Sequence, residues 1–393
     1  MADLGTGLKL LELLLRQKLL KKGLQGERNT PLIVSYTVTK ACNLHCLHCH
    51  VSAREAMPNE LNLREAMKAI DEMADLGTQA MIFSGGEPLL RKNFVLTLAD
   101  YCDDLGIITA MLSNGLLINN EVALELKEAG IKAVGIPIDS VSPEAHDILR
   151  NMPGTFIKAV SAIQACLDLN LEVIVTTMAL KDTVGEMPKR VEFLENLGVD
   201  EVAVYDLVPV GRGKDVMDQA MTHEQRVSLI RYLEAKQEEK EIVFAMSGGQ
   251  PLYPEIAMKI HNSHDSNPKD LLLKEFWVHS SVGCHAGILY LSLRPNGDIH
   301  PCTFLPINVG NVREQSLTDI WTNSKVLNML RERKALKGPC GICEYRETCG
   351  GCRARAYACT GDYLETDIVC LRSLMVEENI HPNSMKRFGF CVG

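Results

Sequence analysis

The sequence predicts an α/β fold of six strand–helix units followed by a small cysteine-rich domain. Two patterns point to it: short apolar runs alternating with longer amphipathic ones from residue 31 onward, and eight of the fourteen cysteines falling between Cys284 and Cys370. Composition agrees. Of 393 residues, 46% are hydrophobic and 23% charged, which suits one large core with a smaller appended domain. The formal net charge of -9, from 50 acidic and 41 basic side chains, repels polyphosphate backbones and speaks against nucleic acid as a main partner.

Residues 1–30 open with a Leu-rich segment that ends at Gly23. Lys9, Arg16, Lys18, Lys21 and Lys22 stand there against Glu12, while Leu4, Leu8, Leu11, Leu15 and Leu19 share one helical face that Leu13 and Leu20 leave. Such a helix packs on its own protein or a dimer mate, or lies in a membrane interface. No apolar run reaches the roughly 18 residues of a spanning helix. The expectation is a cytoplasmic protein, at most peripheral on the inner face of the membrane.

Residues 31–240 carry the strand–helix repeat. Strands are expected at Ile33–Val38, Ala80–Ser84, Ile108–Ser113, Ala133–Asp139, Leu171–Thr177 and Val202–Val208, with helices between them such as Leu63–Leu76, Glu121–Ala129 and Thr155–Leu169. Six parallel strands make either an open doubly wound sheet or a partial barrel, and in both the chemistry gathers beyond the carboxyl ends of the strands. A charged helix at 222–241 leads into a linker, 241–283. Residues 284–375 form the cysteine-rich domain, organised by metal more than by a large core, and 376–393 are a tail. Fourteen cysteines clustered in this way do not read as the disulfide framework of a small secreted domain; they point to metal in a reducing compartment.

Immediately after the first strand come Cys42, Cys46 and Cys49. Three thiolates at this spacing can wrap one iron–sulfur cube and leave its fourth iron open, since a complete protein set would be four cysteines. Zinc is the competing use, with His45, His48 or His50 as the fourth ligand. The spacing and its place after strand one resemble the Cys-x3-Cys-x2-Cys loop of the radical S-adenosylmethionine (AdoMet) superfamily. After strand two, Ser84-Gly85-Gly86-Glu87-Pro88 resembles that family's Gly-Gly-Glu-Pro segment. The resemblance implies a partial (β/α)6 TIM-like barrel and a [4Fe–4S] cluster whose open iron binds AdoMet. It further implies reductive cleavage to a 5′-deoxyadenosyl radical that takes hydrogen from unactivated carbon, with a reductant such as ferredoxin or flavodoxin. By the same likeness Gly85, Gly86 and Glu87 hold the AdoMet amino group, Glu87 offering an anion to the ammonium. Ser113 and Asn114 after strand three, and Asp139 with Ser140 after strand four, match positions that contact ribose or methionine; turn chemistry accounts for them equally well. Arg150 resembles an arginine that reaches the AdoMet carboxylate, with a surface salt bridge as its plain alternative, and Thr176 and Thr177 end strand five. Val208-Pro209-Val210-Gly211-Arg212-Gly213 resembles a loop of the same branch.

The second constellation reads Cys284-x12-Gly297-x4-Cys302, then Cys340-x2-Cys343-x5-Cys349-x2-Cys352-x17-Cys370. It resembles the SPASM extension of radical AdoMet enzymes, with zinc ribbons as the competing reading. The resemblance implies two auxiliary [4Fe–4S] clusters, one on Cys340, Cys343, Cys349 and Cys370, the other on Cys284, Cys302 and Cys352. The second set lacks a ligand: where the family's fullest pattern has another cysteine, this chain has Trp277-Val278-His279-Ser280, leaving His279, an open iron or no cluster as the choices. Cys102, Cys166, Cys359 and Cys391 are expected to be plain thiols.

The run from Cys349 to Tyr357 with Thr360-Gly361-Asp362 resembles the branch acting in alternative haem and haem d-type biosynthesis, which makes a tetrapyrrole side chain the expected substrate. Arg212, Arg353 and Arg355 would then bind porphyrin carboxylates, or else form structural salt bridges. The alternatives are a lipid-chain modifying or C–C coupling enzyme docked to membrane by the N-terminal helix and acting on a small-molecule or lipid substrate, a peptide or cofactor maturase, and a non-catalytic iron–sulfur electron carrier. About 30 residues before strand one are too few for the peptide-recognition domain usual in peptide maturases.

Overall fold

The computed structural model describes residues 30–239, 242–247, 283–347 and 349–370. The N-terminal helix, His279, most of the expected linker, the tail and Cys391 lie outside the described residues.

All six expected strands form, within two residues of their expected ends: β1 (Ile33–Thr37), β2 (Ala80–Ser84), β3 (Ile108–Leu112), β4 (Ile131–Pro137), β5 (Glu172–Ala179) and β6 (Glu201–Asp206). They pair in parallel in chain order. Each is followed by helix, as parallel neighbours require a crossover. The first is α1 (Leu63–Asp75), whose start is fixed by a capping box: Asn62 accepts the Glu65 N–H and Glu65 accepts the Asn62 N–H. Ala66, Ala69, Ile70 and Met73 of α1 recur at helical spacing and are the residues it buries against the sheet. The later crossovers are α2 (Lys92–Asp104), α3 (Asn120–Glu128), α4 (Pro143–Arg150) with α5 (Thr155–Asp168), and α6 (Met187–Leu197). Ser142 caps α4 through the Ala145 N–H, Pro143 follows at a position that needs no N–H, and Asn151 closes the helix.

The sheet is larger than six strands. After α7 (His223–Glu239), β7 (Val243–Ser247) adds in parallel beside β6, within the stretch expected to be linker. On the other edge, β8 (Tyr290–Leu293) lies parallel to β1, setting Ile33 opposite both Ala80 and Tyr290. β9 (Asp298–His300) and β10 (Gly310–Asn311) continue it antiparallel. Among the described residues, ten strands in the order β10-β9-β8-β1-β2-β3-β4-β5-β6-β7 therefore form one mixed sheet. The cysteine-rich segment supplies three of these strands, and four short helices follow: α8 (Leu317–Asn323), α9 (Lys325–Arg331), α10 (Gly338–Ile342) and α11 (Arg353–Thr360). The main core lies between sheet and helices, around Tyr36, Met81, Phe83, Met111 and Val134. Among the described residues no helix is long and apolar enough to cross a membrane.

Candidate active site

The carboxyl ends of β1 to β6 face a single cavity of about 450 Å³. Its wall includes Cys42, Cys46 and Cys49, with Gly86, Asn114 and Arg150 beside them, and also Gly85, Ser113, Asp139, Cys284, Cys302 and Cys352. Cys340, Cys343, Cys349, Cys370 and Glu87 are off its wall.

The first cysteine loop is held at its neck, where the Cys42 N–H donates to the Arg54 carbonyl and the Arg54 N–H to the Lys40 carbonyl, at 3.1 and 3.0 Å. Glu60 gathers the Thr39 hydroxyl and the Lys40 and Met57 N–H groups onto one oxygen. A further clamp comes from the loop after β6. Arg212 donates Nε to the Cys46 carbonyl at 2.8 Å, Nη1 to the Ala53 carbonyl at 2.9 Å and its backbone N–H to the Cys49 carbonyl at 2.9 Å. Gly211, at φ +57°, lies so close beneath that a Cβ would collide with the carbonyls of Cys49 and His50. Sequence resemblance marked this loop without a role; in the structure it braces the cysteine loop.

Gly85 and Gly86 also act by close approach, though toward protein. A Cβ on Gly85 would stand 2.8 Å from the Thr39 carbonyl oxygen, and one on Gly86 would collide with the Ala41 carbonyl. Both glycines thus let the loop after β2 pack on the cysteine loop while lining the cavity. Glu87 behind them is fully buried and receives hydrogen bonds from the Leu89 N–H, the Ser113 hydroxyl and the Asn114 N–H at 3.0, 2.9 and 2.8 Å. Burial lifts its pKa to about 7 against those bonds. Three of its roughly four lone-pair positions are used within the protein, so an ammonium would have to share them. Asn114 turns its amide to Asn43 at 2.7 Å, joining the loop after β3 to the cysteine loop.

Asp139 is buried and engaged. Arg150 donates Nε to its Oδ2 at 2.7 Å, the Met178 N–H reaches Oδ1 at 3.0 Å, and its own N–H goes to His146 Nδ1. Burial would raise this carboxyl, but the Arg150 guanidinium beside it holds it well below the usual range. Arg150 Nη1 lies 4.0 Å from Cys46 Sγ, so Asp139 acts on the cavity through Arg150. The plain reading prevails for Ser140, which donates to Glu186 and accepts from the Ser142 N–H, and for Thr177, which accepts from Arg190.

None of the described cysteines is in a disulfide. They gather in three sets whose members feel one another's charge: Cys42 with Cys46 and Cys49, Cys302 with Cys284 and Cys352, and Cys349 with Cys340 and Cys370. Burial raises Cys42 to about 11 and Cys302, Cys349 and Cys352 to about 12, so loading metal must displace their protons. Among the described residues no three His, Cys, Asp or Glu side chains are close enough to hold a single ion. Thiol sets without disulfides, two of them on the wall of a common cavity, fit iron–sulfur clusters. An AdoMet beside the first set is fitted by His48, whose buried Nδ1 lacks a partner on the cavity wall and whose pKa burial lowers to about 4. Cys102 and Cys166 are buried in α2 and α5, away from every set.

The arginines expected to meet a porphyrin are committed elsewhere. Arg353 donates to the Tyr363 and Glu365 carbonyls, Arg355 pairs with Asp206 and Asp367, and Arg212 holds the cysteine loop. Arg355 makes the structural salt bridges of the alternative, whereas Arg353 and Arg212 are held by backbone carbonyls. Of what sequence reasoning missed, Glu60 and Asp367 carried no signal, because their partners come from distant segments.

The chain matches the Radical SAM superfamily over residues 36–204 and an iron–sulfur cluster-binding domain, SPASM, over residues 284–352. It is 34% identical to an AdoMet-dependent heme synthase of Methanosarcina barkeri, over 87% of this chain and 97% of that one. It is 28% identical to the mycofactocin maturase MftC of Mycobacterium ulcerans, over 84% and 85%. The structure of Streptococcus suis SuiB bound to the precursor peptide SuiA superposes with a TM-score of 0.70 at 20% identity, covering 91% of this chain and 79% of that one.

Proposed function

Since this chain belongs to the radical SAM superfamily and carries a C-terminal SPASM iron–sulfur domain, we propose that it is an oxidoreductase acting on an unactivated carbon of a substrate side chain. Bound beside Cys42, Cys46 and Cys49, a [4Fe–4S] cluster and AdoMet would supply a 5′-deoxyadenosyl radical. The carrying observation is the cavity, whose wall includes both that cysteine set and Cys284, Cys302 and Cys352. A substrate in that cavity would then meet both a radical source and a cluster able to take up the product electron. The protein's part is orientation and exclusion of water: Arg212 and Glu60 hold the cysteine loop, and Asp139 fixes Arg150 against it. Two auxiliary clusters, on Cys284, Cys302 and Cys352 and on Cys340, Cys343, Cys349 and Cys370, belong to this proposal, as does an external one-electron reductant such as ferredoxin or flavodoxin.

For the substrate, the walls favour a peptide or cofactor precursor. The charged side chains lining the cavity among the described residues are Asp139, Arg150, Asp206 and Arg212, and each is held by protein partners. The same cavity of about 450 Å³ would have AdoMet as well as the substrate to accommodate. The maturase relative matches over 85% of its own length, so a chain of this size serves such a reaction. A tetrapyrrole side chain is the second reading, favoured by the heme synthase relative at 34% identity. Deuterium transfer into 5′-deoxyadenosine separates them. Label arriving from a peptide fraction supports the first reading, and label from a porphyrin with deuterated side chains replaces it with the second.

A further inference from the structure

A chain of four buried charges runs from the sheet into the cysteine-rich segment. Arg226 on α7 donates Nε and Nη2 to Asp206 at the end of β6, at 2.7 and 3.2 Å. Arg355 on α11 donates Nη2 to the same Asp206 at 3.1 Å and Nη1 to both oxygens of Asp367 at 3.3 Å. All four side chains are buried. Charges so placed are held for geometry, because removing one partner strands the other in a medium that cannot solvate it.

Asp367 ends this chain, and it is the residue where two cysteine sets meet. Its Oδ2 accepts the N–H of Cys352, from the cavity-facing set, at 2.8 Å. Its backbone carbonyl accepts the N–H of Cys370, from the outer set, at 3.0 Å. The segment between them is packed tightly around it: a Cβ on Gly351 would stand 2.8 Å from the Asp367 Cβ and 3.4 Å from Cys340 Sγ. Asp206, by contrast, bonds to neither set.

We propose that Asp367 is a positioning residue that ties the two auxiliary cysteine sets into one unit and sets the reduction potentials of both clusters through its charge. The inference rests on the auxiliary-cluster part of the proposed function. A carboxylate bonded to the N–H of one ligand, and joined by its own backbone to another, lies within the outer shell that governs cluster potential. Its negative charge disfavours adding an electron to either cluster.

The test is a redox titration, followed by electron paramagnetic resonance, of the fully reconstituted chain and of Asp367→Asn and Asp206→Asn. Asparagine keeps the size of Asp367 and an oxygen for the Cys352 N–H. The expected result is a shift of both auxiliary couples to more positive potential in Asp367→Asn, with the Cys42, Cys46 and Cys49 couple unmoved, and a smaller shift in Asp206→Asn. A shift of one auxiliary couple alone, no shift, or an equal effect from Asp206→Asn overturns the proposal. Should Asp367→Asn lose iron, joint loss of both auxiliary signals with the first cluster retained supports the tie. Loss of one auxiliary signal, or of all three, overturns it. Absence of auxiliary signals from the unaltered chain is a different failure, which falls on the cluster assignment itself.

Discussion

Replacing Arg212 by methionine isolates the clamp on the first cysteine loop. The change keeps an apolar stem but removes both side-chain donors, so the carbonyls of Cys46 and Ala53 lose bonds of 2.8 and 2.9 Å. Hydrogen bonds from a charged donor contribute about 1.5 kcal/mol or more each, and the exposed carbonyls recover part of that from water. A net loss of about 3 kcal/mol in the geometry of the loop follows, or roughly a hundredfold weaker retention of the cluster. The backbone bond from residue 212 to the Cys49 carbonyl persists, so the loop slackens without leaving its place. Competition with an iron chelator, read on the cluster signal that changes when AdoMet is added, measures the effect. The auxiliary signals serve as the internal control and stay at wild-type level. Gly211→Ala should weaken the same cluster by collision with Cys49 and His50. Retention equal to wild type in Arg212→Met would show that the clamp holds nothing the loop does not hold alone.

Glu87 predicts a pH dependence. Burial lifts its carboxyl from the ordinary 4.5 to about 7 in the fold, so its contribution to stability is full below about pH 4.5 and fades as pH rises through 7. The cost reaches about 3 kcal/mol at the upper end. Urea unfolding of the metal-free chain across that range should show the slope, and Glu87→Gln should flatten it; parallel slopes in both proteins would refute the assignment. Cys102→Ala and Cys166→Ala should leave iron per chain unchanged while lowering stability by about 1 kcal/mol each, a small cavity's worth. Iron quantitation beside thermal unfolding decides, and lost iron would mean that a fourth thiol set exists.

The parallel strands were legible because each is a short apolar run bounded by turn residues, as in Ala80–Ser84, and because the intervening helices keep a strict face, as Ala66, Ala69, Ile70 and Met73 do. β7 and β8 were not. Val243–Ser247 follows a charged helix and heads a polar stretch, while Tyr290–Leu293 is four residues long with no crossover helix after it. In the site, cysteine spacing carried the grouping of thiols because ligands to one cluster come from short loops. Arg212 and Cys46 are 166 residues apart, and Asp206 and Arg355 are 149 apart. Nothing local marks such pairs, and a buried, committed arginine reads in sequence like a surface one or a ligand for an anion. Glu87 shows the same limit, since its residue type suggested a ligand contact whereas its burial and its donors Ser113 and Asn114 arise only from the assembled loops.

The central claim is reductive AdoMet cleavage at the loop after β1, and the most direct measurement is 5′-deoxyadenosine by mass spectrometry after anaerobic reconstitution, reduction and addition of AdoMet. The unaltered chain should form 5′-deoxyadenosine together with methionine, and a chain with Cys42, Cys46 and Cys49 all replaced by alanine should form none while keeping its auxiliary iron. Reduced, fully loaded protein that leaves AdoMet intact, or equal product from the alanine variant, would contradict the account.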